Sequence, residues 1–160
     1  MNTDFLVLAG RIRQESTELA TIIARAERAV DLARKAETDS DLYIDAAALN
    51  LHDFYTGLER VFRQIATTID RSIPSSQEWH RDLLKQMCID IPDVRPPVLA
   101  LDTCEALDEF LRFRHVVRNV YAFQLDGIRI QRLVRDGQAL MVLIAAELEY
   151  FSRFLEQAGQ

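Results

Sequence analysis

The sequence predicts an all-α domain, an up-down antiparallel helical bundle of about five helices, and three observations predict it. Only 5 Gly and 4 Pro occur in 160 residues, and Pro92, Pro96 and Pro97 share one short stretch, so long segments are free to be helical. Four of those segments repeat apolar residues at three- and four-residue steps, the period of a helix face. No stretch alternates apolar and polar residues as a half-buried strand would. The length suits one core, and residues 1–160 read as a single domain.

Each element follows in order. The first helix spans Thr3 to Lys35, with Phe5, Leu8, Ile12, Leu19, Ile22, Ala26, Val30 and Ala33 on one face and Arg11, Glu18, Arg25 and Arg28 opposite. Thr38-Asp39-Ser40-Asp41 supplies N-cap residue types for a second helix, whose stripe runs from Ala47 through Leu51, Phe54, Leu58 and Val61 to Ile69. Ser72-Ile73-Pro74-Ser75-Ser76 breaks it, and a short helix over Gln77–Met87 follows with Ser75 or Ser76 as cap. The three-proline stretch Asp90–Ala100 predicts an extended connector. Asp102-Thr103-Cys104-Glu105 is placed like a capping box and opens a fourth helix running to about Phe123. After a turn at Leu125-Asp126-Gly127, a last helix carries Ile130, Leu133, Leu140, Ile144, Leu148, Phe151 and Leu155 to Gly159; Gly137 within it marks a kink or a close helix contact.

Hydrophobic residues make up 49% and charged residues 28%, a globular balance that argues against long disorder. The formal net charge of -6 argues against coating nucleic acid through bulk charge, but leaves room for a local basic patch. Cys88 and Cys104, the only cysteines, suggest neither a disulfide framework nor a zinc site. Met1-Asn2-Thr3-Asp4 reads as the start of a helix rather than a leader, and no apolar run reaches the ~18 residues of a membrane span. The expected location is the cytoplasm, with no membrane association.

Chemistry concentrates on the fourth helix. At about 100° per residue, Ala106, Phe110, Phe113, Val117 and Val120 fall on its core face. Arg114, Arg118 and Tyr121 share one flank beside Leu107 and Leu111, while His115 and Asn119 sit farther round, next to Arg118. Two guanidinium forks one turn apart suit a phosphate or carboxylate between them. The competing expectation is that they pair with Glu59 or Asp53 of the second helix. His52, Tyr55 and Glu59 flank that helix's stripe and form either a second wall of the same pocket or a solvated edge. Trp79-His80 reads as a half-buried anchor. The histidines share no HxxxH or HExxH spacing, so no metal and no cofactor is expected, and the absence of a Gly-rich phosphate loop and of GxSxG removes nucleotide-loop and hydrolase readings.

The wording of four segments carries more. Leu49-Asn50-Leu51-His52-Asp53-Phe54-Tyr55-Thr56-Gly57-Leu58-Glu59-Arg60-Val61-Phe62, Trp79-His80-Arg81-Asp82-Leu83-Leu84, Arg95-Pro96-Pro97 and Phe113-Arg114-His115-Val116-Val117-Arg118-Asn119-Val120-Tyr121 occur in that order. From about Asp41 to the final helix the chain resembles the HepT-like family, within the wider HEPN group of small helical domains. The resemblance implies a bundle that dimerises around the fourth helix. It also implies a metal-independent RNase toxin encoded beside a small nucleotidyltransferase antitoxin, which in related pairs adds AMP to a motif tyrosine. The group's motif is Arg, four to six residues, His, one residue, Tyr, and two copies of it meet across the dimer. Arg114 takes the arginine position, Tyr121 the tyrosine position, and Asn119 stands where the histidine belongs. An imidazole exchanges protons near neutrality, whereas an amide only orients or donates hydrogen bonds.

Two readings remain open. In one, the chain is a homodimeric toxin cutting an RNA such as tRNA, with Arg114 and Arg118 on the phosphate and His115, or a water held by Asn119, handling protons. In the other, the same cleft binds a nucleotide, RNA or the transferase without cutting. Leu107 and Leu111, beside the arginines, are expected in the dimer interface.

Overall fold

The computed structural model describes residues 1–160 and contains five α-helices: α1 (Thr3–Lys35), α2 (Ser40–Ile65), α3 (Trp79–Met87), α4 (Leu101–Asn119) and α5 (Gly127–Gly159). There is no strand, and the one extended pairing is a bridge between Ile91 and Arg95. No helix is long and apolar enough to cross a membrane. α1 and α5, each about 50 Å long at the helical rise, form the spine. They run antiparallel from the Asn2 amide on the Gly159 carbonyl (2.6 Å), through Arg13 on Glu149 (2.8 Å), to Ile23 against Gly137. A Cβ at Gly137 would lie 3.2 Å from Ile23 Cδ1 and 3.4 Å from Phe110 Cε1, so this glycine marks a close three-helix contact within an unbroken α5. Gly57 does the same between α2 and α1, where a Cβ would stand 2.8 Å from Leu19 Cδ2.

One core joins all five helices, from Leu8 and Ile12 through Phe54, Leu58 and Phe62 to Met87, Phe110, Phe113, Ile144 and Phe151. α2 continues past Ile65 as a wider π turn over Ala66–Asp70, and Arg71 at φ +54° reverses the chain. α3 begins at Trp79, two residues later than expected. Ser76 does not cap it with its side chain and instead donates its hydroxyl to Asp82 (2.7 Å).

Several sequence expectations fail for identifiable reasons. The connector is not extended: Ile91–Arg95 closes a turn with Asp93 at φ +63°, and Val98 and Leu99 donate back to the Met87 carbonyl. Its anchor is Arg95, whose buried guanidinium grips Asp70 with Nε (2.6 Å) and Nη2 (2.8 Å) and donates to the carbonyls of Gln86, Ile89 and Pro96. No capping box forms at Asp102, because Glu147 of α5 takes the Ala100 amide (2.7 Å) and the Thr103 hydroxyl. The turned connector also brings α3's end onto α4's first turn, and Cys88 and Cys104 join in a disulfide at a Cα separation of 6.3 Å, against the expectation of no disulfide.

α4 departs most. It stops at Asn119, not Phe123; Val120 is extended, and Ala122–Gln124 forms a single 3-10 turn. Asn119 donates its amide to the His115 carbonyl (2.6 Å), a local bond that competes with helix propagation. Asp126 then caps α5, accepting from the Ile128 and Arg129 amides. The helix is also rotated from the expected arc. Leu107, Phe110, Leu111, Phe113 and Arg114 are buried, whereas Ala106 and Val120 are exposed. Leu107 and Leu111 therefore fill the chain's own core and give no argument for a dimer.

Candidate functional site

The inward rotation of α4 carries Arg114 with it. Its residue is 8% exposed, and its Nη1 lies 2.9 Å from Oε1 of Glu59, an equally buried carboxylate on α2. The contact is ionic but poorly aligned: neither Nε nor Nη1 of Arg114 makes a hydrogen bond. Beneath the guanidinium, 6.0 Å from its carbon, lies the ring of Tyr55. Burial first, and then the charge of Glu59, push the Tyr55 phenol well above its ordinary value, and its hydroxyl has no partner. A buried donor left unpaired is costly, so these groups mark a place where a further acceptor would be stabilising.

Glu59 has a second polar neighbour. Its Oε2 lies 2.6 Å from Nδ1 of His80, at the start of α3. The His80 ring is stacked on Trp79 with centroids 3.6 Å apart, and the Arg63 guanidinium covers the indole at 5.2 Å. One carboxylate thus ties α2, α3 and α4 together.

Above this knot opens a cleft of about 870 Å³ between α3, α4 and the start of α5. Arg81, Arg112, Arg114, Arg118 and Arg129 line it, with His80, His115 and Asn119. Arg81 and Arg112 face Asp108 (3.5 and 2.8 Å), and Arg112 and Arg129 face Glu109 (3.6 and 3.5 Å). Arg118 has no carboxylate partner. Four guanidinium groups share Asp108, Glu109 and Glu59; with Arg118 added and Glu78 also on the lining, five arginines meet four carboxylates, a small local cationic excess on a chain of net charge -6.

The remaining residues singled out from the sequence are placed as follows. His115 and Asn119 are exposed on the cleft's edge, with Asn119 Nδ2 3.4 Å from His115 Nδ1. Tyr121, beyond the helix end, is 73% exposed and stacks on Phe123 at 5.7 Å. His52 stands apart, 3.5 Å from Asp53 and off the cleft lining. Tyr55 and Glu59 underlie Arg114 rather than facing it across the opening. Asp53 pairs with neither arginine.

The family model for HepT-like proteins matches residues 46–155, more than half of the chain. The chain belongs to the HepT-like family. No curated protein and no solved structure matches it.

In this HepT-like chain the cleft is wider in membership than spacing on α4 indicates. Arg81, Arg129 and above all His80 come from other helices. The one legible signal for His80 was its place beside Trp79 in a segment that carries the family resemblance. Its contact with Glu59, 21 residues away, has no expression in helical spacing.

Proposed function

We propose that this HepT-like chain is the toxin of a toxin–antitoxin pair, a metal-independent endoribonuclease working in the cytoplasm as a homodimer and silenced by a small nucleotidyltransferase. One observation carries the reading. Arg114, held by Glu59 beneath the cleft, and Arg118, without a carboxylate, stand one turn apart on the lining of a cationic cleft. Guanidinium donors held in place before the reaction stabilise the charge that develops on a phosphate in the transition state. The reading assigns that charge to the two arginines. The exposed hydroxyl-bearing ring of Tyr121 is accessible to nucleotidyl transfer.

A second reading, a cleft that binds nucleotide or RNA without cutting, draws on Asn119. At the motif's histidine position this side chain carries no titratable proton, and its amide is already donated to the His115 carbonyl.

Incubating the chain with tRNA and with single-stranded RNA separates the two. The nuclease reading expects cleavage that survives EDTA, and a loss on the order of 10²–10³ in rate for Arg118→Ala, an exposed position whose loss spares the core. Bound but intact RNA, both with the chain as it is and with Asn119→His, selects the binding reading. Failure to bind either RNA removes the nuclease reading and the RNA-binding form of the second, leaving only a nucleotide as its ligand.

A further inference from the structure

We propose that His80, oriented by Glu59, is the proton carrier of this cleft; the assignment rests on the ribonuclease reading above. A group that takes a proton from an RNA 2′-hydroxyl must have a free lone pair, a fixed direction and a place beside the phosphate site. Asn119 has lone pairs only on an amide oxygen, which is not basic enough to take the proton. His115 has an imidazole, but the residue is exposed and its one side-chain hydrogen-bond contact is with Asn119 on the same helix, so no hydrogen bond from another element fixes its direction.

His80 meets all three requirements. A carboxylate only accepts, so the 2.6 Å contact with Glu59 places the imidazole proton on Nδ1 and leaves the Nε2 lone pair unspent. The stacked Trp79 holds the ring plane, and the ring lines the cleft. The other oxygen of Glu59 holds Arg114, so the phosphate fork and the imidazole are separated by the span of one buried carboxylate. Carboxylate, imidazole and reacting hydroxyl in sequence is the general logic of an activated nucleophile.

The O2′–P bond forms as the 2′-hydroxyl proton passes to His80 Nε2. The P–O5′ bond breaks, and the leaving 5′ oxygen takes a proton from water in the open cleft. His80 then releases its proton to solvent, leaving a 2′,3′-cyclic phosphate and a 5′-hydroxyl. Arg114 and Arg118 neutralise the phosphate oxygens throughout. Glu59 is a positioning residue that acts through both His80 and Arg114.

The test uses the full chain with a short unstructured RNA and its fully 2′-O-methylated copy, which binds but cannot react. His80→Gln should bind the methylated copy as tightly as the unchanged chain and cut the reactive RNA slower by on the order of 10²–10⁴. Free imidazole should restore cutting to His80→Ala. Cutting that persists in His80→Gln overturns the assignment and leaves the ribonuclease reading standing. An unchanged chain that binds RNA and leaves it intact overturns both. If the His80 variants do not fold, imidazole ¹⁵N shifts of the unchanged chain decide. A proton on Nδ1 and an Nε2 signal that moves when methylated RNA is added support the assignment; an Nε2 signal that stays put overturns it.

Discussion

At the scale of the residue, the molecule turns on Glu59. The buried Arg114 guanidinium and the half-buried His80 imidazole share its two oxygens. Removing one partner from a buried ion pair leaves an uncompensated charge, which is far costlier than the net value of the pair. Glu59→Gln keeps the shape and one acceptor but loses the charge, and it should cost about 3 kcal/mol of stability, measured by urea unfolding. A variant as stable as the unchanged chain would show that Arg114 is neutralised by something other than Glu59. The same residue shows what sequence could convey. Helical spacing brings Arg114 and Arg118 together and offers Glu59 as a partner, because those inferences need only the period of one helix. The third member, His80, depends on where the π turn and the Ser72–Ser76 break deliver α3, and periodicity carries no information on that.

Among the elements, α1 and α5 were the most legible, since their apolar stripes persist over many turns. Their pairing is tied by Arg13, which reaches both Glu149 and Glu156 of α5. Hydrogen bonds from Arg13 first, and then from Arg153, hold the Glu149 carboxyl at about 2, well below its ordinary 4.5; Arg13 likewise lowers Glu156. A carboxylate with a depressed folded-state value stabilises the fold above the unfolded value and loses that contribution as pH falls toward the folded one. Arg13→Gln should therefore lower the thermal midpoint at pH 7 relative to the unchanged chain, and the two melting curves should converge between pH 4.5 and about 2. A gap that persists unchanged at pH 2 would assign Arg13 a packing role instead. The ends of α4 were the least legible elements. Its start is satisfied by Glu147, 47 residues from the Ala100 amide, and its finish by an Asn119 side chain turned on its own backbone. Both are contacts that a helix wheel cannot see. The disulfide was hidden for the same reason: 16 residues separate Cys88 from Cys104, and only the Arg95-anchored turn brings them together.

For the whole molecule, the question is what covers the end of the cleft. Leu107 and Leu111 are spent in the core, so any dimer must use what the fold leaves outside. Past Arg118 and Asn119, the α4–α5 turn and the start of α5 expose Val120, Phe123 and Ile128, the last two at 84% and 81%. Fully burying a large apolar side chain contributes roughly 1.5–3 kcal/mol, so this cluster is the part of the cleft region with most to gain from a partner surface. A second copy docked through it would set the two cationic clefts side by side, in keeping with the composite site that the family resemblance implies. The expectation is a homodimer with an interface above roughly 1,000 Å². Phe123→Glu with Ile128→Glu should convert it to monomer in light scattering while the helical circular dichroism is unchanged, because neither side chain belongs to the core. If cutting is lost with the dimer but returns when this variant is mixed with a partner that keeps the apolar turn, the two clefts act together. A monomer at micromolar concentration in the unchanged chain would reject this interface and leave each cleft to work alone.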